Sequence, residues 1–176
     1  MGQSDIEALL KYAKQFLGVK YIRKSASYHK SAGFDCSSLT RHIFKKFGVE
    51  LARRARDQAK QGMPVAVNYI QRGDLLFFAV PERFKTDDIP GHVGLYIGNN
   101  EMLHCIPYPK NKVFISSLNK PHWRKNFLFA RRMINILDSK SGKFTCFGPN
   151  TGADQRTSDI KPKYERKCSK PSPFQF

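Results

Sequence analysis

No stretch of the 176-residue chain stays apolar for the roughly 18 residues that a membrane-spanning helix needs. The opening residues, Met1-Gly2-Gln3-Ser4-Asp5, lack the basic segment and following apolar run of a secretory signal. Ile6 stands where a myristoylation signal carries Ser or Thr. On these grounds the chain is expected to be cytoplasmic by default, with export by a specialised system as the other route. Cysteine is sparse. The four residues, at 36, 105, 146 and 168, hold no Cys-x-x-Cys pair, so no metal site and no cofactor is expected. Without a secretory signal, free thiols are expected rather than disulfides. Acidic residues are also few, 14 against 31 Lys and Arg, for a formal charge of +17. Such a surface attracts polyanions: nucleic acid, acidic wall polymer or anionic lipid. No zinc spacing and no aromatic-basic stretch of an RNA reader accompanies the charge, so nucleic acid is not the expected partner. Internal repeats are absent as well.

What is present suffices for one domain. Hydrophobic residues make up 40% of the chain. After Leu137, Ser, Lys, Gly, Thr and Pro dominate, and Ile160 is the only branched aliphatic residue. Residues 138–176 are therefore expected to form a basic, loosely ordered extension of a folded domain over 1–137. The basicity belongs mainly to that domain, which carries 23 of the 31 basic residues and 10 of the 14 acidic ones.

Within the domain, Ser4 to Leu17 has the apolar stripe of a helix, with Ser4 and Glu7 as a capping box and Gly18 as its end. Arg23 to Ala32 is polar and is expected to be a surface loop. Gly33-Phe34-Asp35-Cys36 then opens a second periodic run, Leu39, Ile43, Phe44 and Phe47, closed by Gly48. Cys36 thus falls in the first turn of a helix, where unpaired N–H groups and the helix dipole favour the thiolate. A small buried structural cysteine is the competing reading at this point. His42, six residues on, points to another face and is assigned to packing. Arg53 to Gly62 suggests a short basic helix broken by Pro64.

Strands follow: Leu75–Val80, Gly91–Ile97, Glu101–Ile106, Val113–Ser116 and Phe127–Ile134, with a polar loop over 81–90. A hairpin turn at Gly98-Asn99-Asn100 decides the face on which two histidines fall. A three-residue turn pairs Ile97 with Glu101 and Gly94 with His104. His92 and His104 then become diagonal neighbours on one face. A two-residue turn separates them to opposite faces. The three-residue turn is the one expected here. Helices followed by strands give an α+β fold with a mostly antiparallel sheet. A nucleophilic cysteine needs a base, and the base needs an orienting partner. Cys36, His92 and His104 supply that set.

The ordered pieces Leu17-Gly18-x-x-Tyr21, Phe34-Asp35-Cys36-Ser37-x-Leu39, Gly73-Asp74-Leu75-Leu76-Phe77-Phe78, Gly91-His92-Val93-Gly94-Leu95-Tyr96-Ile97-Gly98, Met102-Leu103-His104 and Arg131-Arg132 resemble the NlpC/p60 cysteine peptidases, a papain-like group that cuts cell-wall peptides. The resemblance covers residues 1–136. It implies a papain-like, NlpC-type fold with N-terminal helices packed on the sheet, and Cys36 as nucleophile, His92 as base and His104 as third residue. It also implies a peptidoglycan peptide as substrate, cut at a γ-D-glutamyl–diamino acid amide, with Tyr21, Asp35 and Ser37 around its free amino end. Ile22-Arg23-Lys24-Ser25 departs from the Trp-Gly-Gly-like run common in the family, in a region that lines the substrate groove of relatives. Two alternatives stay open: an acyltransferase on the same Cys–His fold, and a non-catalytic basic module that binds wall polymer or nucleic acid.

Overall fold

The computed structural model describes residues 3–25 and 28–134; the extension expected over 138–176 lies outside them. Helix α1 is Gln3–Lys14, so Ser4 sits inside its first turn rather than capping it. Leu9, Leu10 and Ala13 bury its apolar stripe, and Phe16 is buried just past its end. Residues 23–32 are not wholly loop, since a single turn of helix, α2 (Tyr28–Ser31), interrupts them. Helix α3 is Cys36–Lys46, close to its expected bounds.

The basic run after Arg53 yields only one helical turn, α4 (Ala55–Gln58). The chain then enters a strand that the sequence did not suggest, β1 (Met63–Val65), with Pro64 at its centre. Proline is tolerated there because β1 lies at one edge of the sheet. A 3-10 turn at Val67–Tyr69 precedes β2 (Leu75–Phe78), β3 (His92–Gly98), β4 (Glu101–Ile106) and β5 (Lys112–Ser117). Helix α5 (Pro121–Asn126), also not anticipated, leads into β6 (Phe127–Arg132), which stops two residues short of Ile134.

The six strands form one antiparallel sheet in the order β1-β6-β2-β3-β4-β5, an α+β architecture as expected. Helix α3 packs on β3 and β4. Phe34, Leu39, Ile43 and Phe44 meet Leu75, Phe77, Val93, Leu95 and Leu103 on that face. Each such side chain contributes about 1.5–3 kcal/mol when fully buried. The opposite face buries Leu76, Phe78 and Met102 beneath Leu118 and Trp123. At the β5 edge, the segment after α1 pairs with the strand: Gly18 N–H donates to Val113 O at 2.9 Å and Val113 N–H donates to Val19 O at 2.8 Å.

The β3–β4 hairpin corrects one expectation and keeps its consequence. The turn has two residues, Asn99 and Asn100, both with left-handed backbone (φ 53° and 54°). Gly98, at φ +95°, pairs with Glu101. A bulge between Tyr96 and Gly98 absorbs the extra residue, so Tyr96 faces Met102 and Leu95 faces Leu103. The bulge restores the register of a three-residue turn, and His92 and His104 still share a face.

Candidate active site

Asp35 caps α3. Its Oδ1 accepts from Ser38 N–H at 2.8 Å, and Ser38 Oγ accepts from Asp35 N–H at 2.9 Å, a reciprocal capping box. Arg53 clamps the same carboxylate through both terminal nitrogens, and its Nη1 also donates to Ser37 Oγ at 3.1 Å. Gln58, fully buried, donates to Ser37 O at 2.9 Å and Ala52 O at 2.8 Å, and accepts from Thr40 Oγ1 at 2.9 Å. The first turn of α3 is thus locked from outside the helix. Neither Arg53 nor Gln58 stood out in the sequence, because both belong to a run that looks like a solvated basic face.

Cys36 is the first residue of α3 and is half-buried. The backbone N–H groups of Val93 and Ser37 lie near its sulfur and favour the thiolate. Val93 follows His92, so the sulfur lies at the first peptides of β3, beside the residue that carries the imidazole. Burial pushes the thiol up to about 11, and the Asp35 charge adds to the rise; the two amides and Arg83 oppose it. The thiolate preference expected from the helix start is therefore outweighed by burial. The cap takes the N–H groups of Asp35 and Ser38, and Ser37 N–H serves the sulfur. Among the described residues, that leaves Cys36 N–H in this turn with no protein acceptor.

His92 and His104 come together on the sheet face away from α3. His92 Nε2 and His104 Nδ1 are 2.9 Å apart, and His104 Nε2 is 2.9 Å from Ser116 Oγ. Trp123 of α5 stacks on His92, with ring centroids 5.4 Å apart, and meets His104 edge-on at 5.0 Å. Burial lowers His92 to about 3, assisted by the charges of Arg83 and His122. Burial also holds His104 well below 6.5, assisted by His92 and Lys120. Both imidazoles are therefore neutral. One tautomer set has His92 Nε2–H donating to His104 Nδ1 and His104 Nε2–H donating to Ser116 Oγ. The reversed set puts the proton of His92 on Nδ1. Only the first leaves His92 Nδ1 bare and able to take a proton. Ser116, buried in β5, is the relay member that sequence reasoning missed. A serine in a short strand carries no distinguishing signal until the β4–β5 register is known.

Tyr21 is half-buried, and its segment bridges to Phe34. Burial raises its phenol, then the charges of Cys36 and Asp35, while Arg83 opposes them. The charges of Cys36, Asp35 and Arg83 thus all reach Tyr21. Asp35 and Ser37 are both buried and both engaged by Arg53. His42 packs away from this site, as expected, with Nε2 3.1 Å from Tyr12 Oη among Phe16, Tyr28 and Phe34. Asp74 and Arg132, quoted above within shared motifs, form a two-bonded ion pair at 2.8 and 2.9 Å between the start of β2 and the end of β6.

The sequence pattern of the NlpC/P60 family matches residues 18–132. A gamma-D-glutamyl-L-lysine dipeptidyl-peptidase of Bacillus cereus is 35% identical over 137 residues, covering 75% of this chain and 39% of that protein. The murein DD-endopeptidase MepS/murein LD-carboxypeptidase of Escherichia coli is 30% identical over 132 residues, covering 74% of this chain and 66% of that protein. The chain therefore spans about two fifths of the first relative and just under two thirds of the second. Among solved structures, an NlpC/P60 family protein from Bacillus cereus superposes with a TM-score of 0.62 at 34% identity, covering 72% of this chain and 39% of that one. The peptidoglycan hydrolase RipB of Mycobacterium tuberculosis superposes at 0.60 with 28% identity, covering 77% of this chain and 69% of that one. With Cys36 at the start of α3, a His92–His104–Ser116 hydrogen-bond chain across β3, β4 and β5, and the shared pattern running from Gly18 to Arg132, this chain belongs to the NlpC/P60 family.

Proposed function

We propose that the chain is a cysteine peptidase that hydrolyses an amide of peptidoglycan peptides, at the bond between a γ-D-glutamyl unit and a diamino acid. The observation that carries this reading is the sulfur of Cys36 at the Val93 amide, one residue from a histidine whose second nitrogen is already engaged. His92 Nδ1 takes the thiol proton as sulfur adds to the substrate carbonyl. The oxyanion is met by Cys36 N–H. The C–N bond breaks as His92 returns the proton to the leaving amine, which leaves an acyl group on sulfur. Water then gives its proton to His92 while its oxygen attacks the thioester, and the collapsing intermediate expels the thiol and the free acid. His104, held by Ser116, fixes the ring of His92 throughout. Tyr21, Asp35 and Ser37 are assigned to the substrate's free amino end. Arg53 already neutralises part of Asp35, so recognition there rests as much on the hydroxyls as on charge. The cationic surface supports contact with anionic wall polymer.

The test is incubation of the chain, and of Cys36→Ala, with soluble wall tripeptides. The expected result is cleavage by the first alone, with a mass gain of one water shared between two products. No cleavage by either, or equal cleavage by both, overturns the reading. Products joined to an added amine would mark acyl transfer instead.

A further inference from the structure

The loop over 81–90 carries an arginine that the relay does not use. Arg83 Nη1 donates to the carbonyl of Gly91 at 2.7 Å, in the peptide group that leads into His92. Gly91 is buried, and a Cβ there would lie 2.8 Å from Val80 Cγ2 and 3.2 Å from Arg83 Cδ. A side chain at 91 would therefore clash with Val80 and press on the arginine. Phe84 braces the same group: the Arg83 guanidinium lies 5.7 Å from its ring centroid. The charge of Arg83 also reaches Cys36, His92 and Tyr21. Arg53 is held by Asp35 and Arg132 by Asp74. Among the described residues, no carboxylate is paired with Arg83. A guanidinium fixed by one nitrogen and a ring still has donors to offer, and its natural complement is a planar carboxylate.

We propose that Arg83 receives a free carboxylate of the substrate beside the scissile amide, so that the chain selects a γ-linked glutamyl unit with a free α-carboxylate over its α-amide. The proposal rests on the peptidase reading and names the chemistry that the site selects. In a γ-glutamyl amide the α-carboxylate hangs three carbons from the carbonyl that Cys36 attacks, close enough to meet a cation anchored at the residue before the base. Amidation removes the charge and puts a donor where Arg83 needs an acceptor, which costs roughly 10- to 100-fold in recognition.

The test uses the full chain with L-Ala-γ-D-Glu-L-Lys and its α-amide. Arg83 is exposed, so its truncation leaves the core untouched. Wild type is expected to favour the acid by at least tenfold in kcat/KM. In Arg83→Ala the ratio should collapse to less than threefold, with Arg83→Lys between the two. Arg56→Ala, which removes a cation 5.8 Å from the same Phe84 ring, should keep the wild-type ratio. Calorimetric binding of both peptides to Cys36→Ala, with and without Arg83→Ala, reads the same preference without turnover. An acid preference in binding that depends on Arg83, with no cleavage by wild type, sustains the carboxylate site while removing the peptidase reading. Equal handling of both peptides by wild type, equal loss of both in Arg83→Ala, or binding of neither peptide overturns the carboxylate site.

Discussion

A thiol that burial holds protonated has to be ionised on demand, by the base that will use the proton. The rise of Cys36 to about 11 and the fall of His92 to about 3 set that order. In the proposed mechanism the resting pair is thiol and neutral imidazole, and charge separates only when a substrate carbonyl arrives to accept it. Alkylation of Cys36 by iodoacetamide should therefore climb about tenfold per pH unit from pH 6 to 9, in step with the thiolate fraction. Peptide mapping separates Cys36 from the other thiols, and a plateau at low pH would signal a preformed ion pair instead. Ser116 acts one step further back. Ser116→Ala removes the partner of His104 Nε2 and lets the reversed tautomer compete, so kcat should drop roughly tenfold with KM within about twofold. Ser116→Thr, which keeps the hydroxyl, should recover most of the loss. A fall in KM and kcat together would point to a packing role.

At the scale of elements, the site exists because the first turn of α3 and the first residues of β3 are fixed separately and then brought together. Asp74 and Arg132 tie β2 to β6, next to the β2–β3 pairing that positions His92. Asp74→Ala would leave Arg132 half-sheltered without its partner and should cost about 3 kcal/mol, read as a fall in Tm on the order of 10 °C. No change in Tm would mean the pair is a surface ornament. Much of this was legible in the sequence. The apolar period after Cys36 placed α3, and the alternation in His92–Ile97 and Glu101–Ile106 placed the histidines on strands. The turn was misjudged because Asn99 and Asn100 both tolerate left-handed backbone, and the bulge that rescues the register leaves no local mark. Helix α5 was missed because six residues are too few to show a period. Trp123 still closes the relay from it. Gln58 and Arg53 were hidden for a different reason: Arg53 meets a cap and Gln58 a backbone carbonyl more than 15 positions away in sequence, contacts that only folding creates.

For the molecule as a whole, acid and salt should act through different parts. His92 and His104 stay neutral when folded but titrate near 6.5 when unfolded, so below that pH the unfolded chain binds more protons. Stability should be full above about pH 6.5 and decline as pH falls, by about 1.4 kcal/mol per unit for each histidine. Denaturant unfolding at pH 7, 6 and 5 measures the slope, which His104→Gln should reduce by about half. The excess of cations acts at longer range. Binding to intact wall should weaken steeply between about 50 and 300 mM salt, while turnover of a small peptide changes less than about threefold. Equal salt sensitivity of both would place the effect in the cleft rather than on the surface.

The two margins of the sheet carry a last consequence. On one side Pro64 leaves a three-residue strand with at most two amide protons to offer. On the other, the chain's own segment at Gly18 and Val19 already occupies β5. Among the described residues, a stray strand from a neighbouring copy thus meets a proline-broken margin on one side and a partly occupied one on the other. The fold can be held at high local concentration with little at either margin to template fibrils of itself.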